Sequence, residues 1–282
     1  PLRLDTTDDA YVIAGADFAV RIDRRQGSLD SFIHQNRELL ARPLTPNFWR
    51  AQTDNDSAGA DVMLKELGVW RTAPASRVVT STSATQPAPS VVQITARGTM
   101  ADGHVDWTQT YTAHGNGVVA VAMRIITETD MPEIPRVGMQ LGVPASMDTM
   151  TWFGRGPHEN YVDRRASALV GRYSGSVSNL VTSYVRPQEN GNRTDVRWVA
   201  FTDPQGHGLL AKADGCLLSI SAWPYTQEDL ERARHTHELP HREFLTVNLD
   251  HRQRGVGGIN SWGAKPLPQH TNPCGLDEYR FT

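Results

Sequence analysis

The chain is poor in cysteine, in long apolar runs and in net charge of either sign. Its two cysteines, Cys216 and Cys274, are too far apart for a metal-ligand motif or a disulfide framework, so two free thiols are expected. The net charge is −3 and no block of lysine or arginine stands out, which argues against a nucleic-acid partner. No apolar run is long enough to span a bilayer, so no membrane partner is expected.

A normal N-terminus is also missing from the sequence. The stretch Pro1–Asp5 has neither the pattern of a signal peptide nor an initiating methionine. We therefore expect the chain to be a fragment of a longer, multidomain protein. These features leave the cellular compartment open.

Strand signals dominate what the sequence does contain. Tyr11–Asp23 and Ser90–Thr99 mix apolar residues with small and polar ones, and Leu245, Val247 and Leu249 alternate with more polar neighbours. Turn residues between paired strand-like runs predict two hairpins. The first joins 107–113 to 118–127 through His114–Gly117, and the second joins 196–202 to 208–212 through Asp203–Gly206.

Helical signals are few. Ala58–Leu67 has apolar residues at helical spacing, and a Thr-initiated acidic turn predicts a short helix near residues 227–234. The segment Thr80–Ser90, rich in Ser, Thr, Pro and Ala, is interpreted as a surface loop. The sequence therefore predicts an all-β protein, a large antiparallel β-sandwich with a few short helices, forming a single domain over residues 1–282.

Two segments combine aromatic, basic, acidic and amide side chains. Such planar polar groups beside aromatic rings suit a sugar, whose hydroxyls accept and donate paired hydrogen bonds. A buried polar network that braces two loops would have the same composition, and the sequence favours neither interpretation. The residues of the candidate sugar-facing groove, with one histidine from a third segment, are Arg155, His158, Glu159, Asn160, Tyr161, Glu189, Asn190, Arg193 and His235.

Metal-binding patterns are incomplete. Asp54 and Asp56 begin like a calcium loop, but Ala58 and Lys65 occupy later ligand positions, so an Asx turn that caps a helix is favoured. The cluster His235–His241 lacks a clear third or fourth zinc ligand, and its histidines would share one face only in a strand. No metal or cofactor is expected in this fragment.

A glycine-rich run, Gly255–Gly258, precedes Trp262. It lacks the Lys-Ser/Thr and the helix of a phosphate loop, and it allows a sharp bend that would expose the tryptophan. By composition alone, packing of Trp262 in the core is the stronger alternative. No spacing of glutamates singles out a pair of carboxylates for glycoside hydrolysis, so no catalytic residue is expected in this fragment.

Five motifs occur along the chain in one order. They are Phe48–Ala51 with Thr53–Asp56, Trp152–Tyr161 with Asp163–Arg164, Tyr184–Gly191, His235–Leu239 and Gly257–Trp262. In this order they resemble the last domain of LacZ-type β-galactosidases, and the similarity covers roughly residues 10 to 281. Two small departures are Gln52, where proline is usual, and Gly263–Lys265, which replaces a more polar stretch.

The resemblance implies a supersandwich of the galactose mutarotase type in a retaining enzyme of glycoside hydrolase family 2. It places the catalytic glutamates, magnesium and sodium in a separate TIM-barrel domain of the same chain, and it implies a homo-oligomer acting on galactosides such as lactose. It assigns to Trp262 a stacking contact with the substrate. Two alternatives are a carbohydrate-binding module and a free-standing aldose 1-epimerase, with His158 or His235 as acid and Glu189 as base.

Overall fold

A computed structural model describes residues 1–260 and 264–282, which form two antiparallel sheets packed face to face. The strands are β1 (Arg3–Thr6), β2 (Ala10–Ala14), β3 (Phe18–Asp23), β4 (Leu29–His34), β5 (Arg37–Glu38), β6 (Arg42–Asn47), β7 (Val78–Ala88), β8 (Val91–Met100), β9 (Val105–His114), β10 (Val119–Thr127), β11 (Arg136–Pro144), β12 (Thr149–Gly156), β13 (Leu169–Ser176), β14 (Arg193–Val196), β15 (Trp198–Thr202), β16 (Gly208–Asp214), β17 (Leu218–Trp223), β18 (Phe244–Gln253) and β19 (Leu276–Phe281).

The larger sheet has the order β1-β2-β3-β4-β6-β11-β18-β17-β14, with β5 paired to β4, and the other has the order β13-β12-β15-β16-β19-β10-β9-β8-β7. Alternate side chains of both sheets fill one core, which contains, for example, Val92 and Ile94 from β8 together with Val247 and Leu249 from β18. This arrangement confirms the large antiparallel β-sandwich.

Both predicted hairpins are confirmed. Strands β9 and β10 pair from Ala113 opposite Val119, and Gly117 adopts the positive φ that their turn requires. Strands β15 and β16 pair from Thr202 opposite Gly208. The predicted β structure over Tyr11–Asp23 is confirmed, and it consists of β2 and β3, which pair with each other in antiparallel fashion.

The prediction of a loop at Thr80–Ser90 was wrong. Most of this segment belongs to β7, which pairs with β8 at the edge of the nine-stranded sheet. An edge strand is hydrogen-bonded on one side only, so it tolerates Ser, Thr and Pro residues that a central strand would not. Register shifts at Val79/Ser81 and Thr85/Ala88 accommodate the irregular sequence.

The α-helices are short and lie outside the sheets. The predicted helix over 58–67 is broken, because Ala58, Gly59 and Asp61 have positive φ. The predicted helix near 227–234 is confirmed, and it begins at a capping box formed by Thr226 and Asp229. No helix among the described residues is long and apolar enough to cross a membrane. The helices are α1 (Asp54–Ser57), α2 (Val62–Leu67), α3 (Val69–Thr72), α4 (Val177–Leu180) and α5 (Gln227–Arg232), with 3-10 turns at Ala101–Gly103, Thr236–Glu238 and Pro268–His270.

The face of the larger sheet that points away from the core is polar but enclosed. Asn248 of β18 is fully buried there: its Oδ1 accepts hydrogen bonds from Gln140 (2.9 Å) and Asn47 (3.2 Å), and its Nδ2 donates to Ser221 (3.0 Å). Asn47 also donates to Gln227 of α5. The chain therefore covers this face with its own segments, and the candidate site is built on top of it.

Candidate functional site

The two polar segments predicted to form a groove do come together. The backbone N–H of Asn160 donates to the Asn192 carbonyl at 2.8 Å, and the Asn192 side chain donates back to the Asn160 carbonyl at 2.8 Å. The Asn160 Oδ1 accepts hydrogen bonds from the backbone N–H and the hydroxyl of Thr194 (2.9 and 2.6 Å). Asn160 thus joins the segment 155–161 to the segment 189–193, which confirms that the two lie together.

Glu159 is a second link between the segments. One of its oxygens accepts hydrogen bonds from Arg164 Nη2 (2.7 Å) and from the Tyr184 hydroxyl, and the other accepts from the Gly191 backbone N–H (2.8 Å). Burial and the contact with this carboxylate raise the pKa of Tyr184. Both oxygens of Glu159 are therefore engaged within the chain.

Glu189 belongs to a fully buried ionic cluster with Arg136 and Asp250. Arg136 Nη2 donates to Glu189 at 2.9 Å, and Arg136 Nε faces Asp250 Oδ2 at 3.3 Å without hydrogen-bond geometry. The other Glu189 oxygen accepts weak hydrogen bonds from Gln253 (3.3 Å) and Tyr161 (3.5 Å). Burial raises the pKa of Glu189 and raises that of Asp250 to about 7, against the opposing charge of Arg136. One arginine therefore faces two buried carboxyl groups.

Arg193 and Asn190 are also enclosed. The Arg193 guanidinium lies 5.2 Å from the ring centroid of Trp152 and donates to the Gly191 carbonyl at 2.7 Å. Burial lowers the pKa of Arg193 to about 10. Asn190 accepts from the Thr182 N–H at its side chain and from Trp223 Nε1 at its carbonyl.

Five of the nine predicted groove residues are thus buried, namely Asn160, Tyr161, Glu189, Asn190 and Arg193. Their mutual hydrogen bonds are those of a polar network that braces two loops. Arg155, with its Nε 2.5 Å from Asp195, is partly buried, and His158 and His235 are exposed. Direct contact of these residues with a sugar stays a prediction.

The acid and base of the alternative epimerase are not assembled. The hydrogen bonds of Glu189 go to Arg136, Gln253 and Tyr161. His158 contacts Ser167 at 3.0 Å, and His235 contacts Glu238 at 3.1 Å. Because Glu189 is buried while both histidines are exposed, neither pair can act on one sugar in this arrangement.

A second buried ionic cluster was not anticipated from the sequence. Arg50 donates two hydrogen bonds to Asp56 (2.9 and 2.8 Å), and Arg254 donates to the same carboxylate at 3.0 Å. Asp56 also accepts from the Thr53 N–H at 3.0 Å, which confirms the predicted capping role. The capping pattern was visible in the sequence, but the partner Arg254 is separated from Asp56 by almost 200 residues and no local signal connects them.

The glycine-rich segment that precedes Trp262 is anchored by hydrogen bonds to Asp163 and Asn55. The Asp163 carboxylate accepts from the backbone N–H groups of Val256 (3.1 Å) and Gly257 (2.8 Å), and Asn55 donates to the Val256 carbonyl at 3.0 Å. A side chain at position 255 would place its Cβ 2.5 Å from an Asp163 oxygen, so the Asp163 carboxylate would have to shift to admit it. Trp262 itself lies outside the described residues, so its predicted stacking role stays a prediction.

A cavity of about 320 Å³ borders the network at Asn190 and Tyr184. Its walls are mostly proline, aromatic and aliphatic side chains from three segments, with a few hydroxyl and amide groups between them. This composition suits a ligand with both apolar and hydroxyl faces. The lining residues are Ser178, Val181, Thr182, Ser183, Tyr184, Pro187, Asn190, Pro224, Tyr225, Leu230, Thr236, Leu239, Pro240 and His241.

Asp250 makes the stability of the fold depend on pH. Its pKa is raised to about 7 in the folded state from 3.8, so the folded chain keeps a proton that the unfolded chain loses. This contribution to stability is full below pH 4 and declines as the pH rises to 7, by on the order of 4 kcal/mol. Urea unfolding across this range should show a smaller decline for Asp250→Asn than for the unaltered chain. Parallel curves would show that Asp250 is ionised when folded.

The comparisons with solved structures agree with the fold. The chain matches the GalM/aldose epimerase homologue from C. elegans with a TM-score of 0.51 and 8% identity, covering 100% of this chain and 98% of that one. It also matches a TPR-domain containing protein from Parabacteroides distasonis, with a TM-score of 0.51 over 46% of that chain. At such low identity these matches establish the fold alone: a β-sandwich of the class found in aldose epimerases.

Sequence relatives define the family. The model of the β-galactosidase small chain matches residues 14–282, so this chain belongs to the β-galactosidase small-chain family. The β-galactosidase of Priestia megaterium is 37% identical over 96% of this chain, and that of Halalkalibacterium halodurans is 33% identical over 89%. The chain spans about a quarter of the length of these relatives, 26% and 25% respectively.

Proposed function

We propose that this chain is the C-terminal part of a β-galactosidase that hydrolyses terminal β-D-galactosides such as lactose, and that it completes an active site built mainly by the rest of the enzyme. The observation that supports this most strongly is the family match over nearly the whole chain, which accounts for only a quarter of the relatives. These relatives are named β-galactosidases, and the three quarters of their length that this chain does not match are long enough for a catalytic TIM barrel.

The geometry is consistent with a supporting part rather than an independent hydrolase. A retaining glycosidase needs two carboxyl groups about 5 Å apart on an accessible sugar site. Glu159 and Glu189, the two glutamates in the predicted groove, are instead bound to Arg164 and Arg136. The anchored segment at 255–258 is the part of this chain proposed to carry Trp262 to the substrate.

We propose that the magnesium and sodium implied by the family resemblance bind outside this chain. Hard cations prefer oxygen ligands. Among residues 1–260 and 264–282, the cluster of three or more potential ligands is His235, His237 and Glu238, of which two are imidazoles. We therefore assign the magnesium and sodium sites, together with the catalytic glutamates and the homo-oligomer contacts, to the enzyme as a whole.

The isolated chain is expected to have no hydrolytic activity. Purified chain is incubated with a chromogenic β-galactoside, and release of the chromophore is compared with that from buffer. Turnover that Glu159→Gln or Glu189→Gln abolishes would contradict the proposal. Galactose mutarotation, measured by polarimetry in the same samples, tests the epimerase alternative, and it is expected to proceed at the uncatalysed rate.

A further inference from the structure

His235, His237 and Glu238 form a compact cluster directly after α5. His235 is extended, with φ −136° and ψ 152°, and the 3-10 turn Thr236–Glu238 begins after it. The two imidazole rings therefore stack, with centroids 5.5 Å apart and planes inclined by 14°. The expectation that these histidines share one face only in a strand was wrong, because an extended residue followed by a turn achieves the same result.

The cluster brings three potential zinc ligands close together. One ligand atom from each of the three residues lies within 4.8 Å of the others. The His235 Nδ1 is 3.1 Å from Glu238 Oε1. Zinc binds imidazole nitrogen and carboxylate oxygen at about 2.0–2.2 Å in a tetrahedron, so two of its ligand atoms are about 3.3 Å apart. The pair formed by His235 and Glu238 is thus already near the required spacing.

The carboxylate of the cluster is positioned in advance. The Arg234 backbone N–H donates to Glu238 Oε2 at 2.8 Å and leaves Oε1 directed to His235. The backbone hydrogen bond and the contact with His235 lower the pKa of Glu238. Arg232 and Arg242 share the Asp229 carboxylate, each at 2.7 Å, so this carboxylate offsets one of their two positive charges.

We propose that His235, His237 and Glu238 bind one zinc ion, with solvent in the fourth coordination position. Two imidazoles and one carboxylate are a ligand set of catalytic zinc sites, and imidazole disfavours magnesium and calcium. The three residues are exposed, so the ion enters without opening the fold. The site lies at the rim of the 320 Å³ cavity, because Thr236 and Leu239 of the same turn line that cavity.

Isothermal titration of the 282-residue chain with zinc chloride at pH 7.5 tests this inference. One site per chain with a micromolar or lower Kd is expected, with no comparable binding of magnesium chloride. His237→Ala and Glu238→Gln should each weaken zinc binding by about tenfold or more, since removal even of residues that only orient a ligand costs this much. Cobalt(II) bound in the same site should show the visible absorption bands of a tetrahedral complex.

His104→Ala is the matched control. His104 is equally exposed and pairs with Glu128 at 2.7 Å, but it lacks a third ligand among the described residues. Its loss should leave the zinc isotherm unchanged. Absence of zinc binding by the unaltered chain would overturn the inference, as would an unchanged Kd in His237→Ala. Because the assay uses the chain without substrate, its failure is distinct from failure of the proposed β-galactosidase function.

Discussion

Arg136→Met should lower the free energy of unfolding of the chain by about 3–5 kcal/mol. Arg136 is the cation between Glu189 and Asp250, and all three side chains are fully buried. Without it, two carboxyl groups remain in a low-dielectric environment with like charges, and either protonation or unfolding must follow. Urea denaturation at pH 7.5, followed by tryptophan fluorescence, measures the loss.

Two further variants define the cause. Arg71→Met removes an ion pair with Glu231, in which the arginine side chain is 45% exposed. This change should lower the free energy of unfolding by no more than about 1 kcal/mol. Combining Arg136→Met with Glu189→Gln should recover part of the lost stability, because a single carboxyl group remains and Asp250 can take up a proton. A cost for Arg136→Met no greater than that of Arg71→Met would contradict the account of the buried cluster.

Asp163→Ala should raise the KM of the full-length enzyme for an aryl galactoside while changing kcat less. Asp163 accepts two backbone hydrogen bonds from the segment 255–258. Without these two hydrogen bonds, the backbone that leads to Trp262 loses the contacts that fix its position. An aromatic contact with a sugar is worth on the order of 1–3 kcal/mol, so Trp262→Ala should raise KM by roughly 5- to 150-fold. Asp163→Ala should cause a large part of this change.

A double-mutant cycle distinguishes positioning from a general structural effect. If Asp163 acts by positioning Trp262, its replacement should add little to KM in the Trp262→Ala background. Glu66→Gln is the control, because Glu66 contacts Lys265 at 2.6 Å on the exposed side of the same region. Additive effects on KM in the cycle would show that Asp163 does not act through Trp262.

Much of the fold could be predicted from periodicity and turn chemistry. The hairpin at His114–Gly117 and the capping box at Thr226 are local signals, and both were confirmed. Strand β7 was missed because its Ser, Thr and Pro residues are common in loops, and only pairing with β8 makes it a strand. That the whole of residues 1–282 forms one domain stays a prediction, although a single core contains side chains from Leu2 to Phe281.

The site was predicted less completely, because burial depends on contacts that are distant in sequence. The mixed polar composition of Arg155–Tyr161 and Glu189–Arg193 correctly indicated that the two segments meet. This composition could not show that the outer face of the larger sheet is covered. Because that face is covered, Glu189 is enclosed between Arg136 and Gln253. The hydrogen bond from the Gly257 backbone N–H to the Asp163 carboxylate likewise joins residues separated by more than 90 positions.

The most direct test of the proposed function replaces the matching quarter of the Priestia megaterium β-galactosidase with this chain and measures hydrolysis of a chromogenic β-galactoside. That relative is 37% identical over the replaced segment, so the buried clusters should form in the chimera. We expect the chimera to be active, the truncated relative without this segment to be inactive, and the chimera with Trp262→Ala to have a raised KM. Full activity of the truncated enzyme would contradict it.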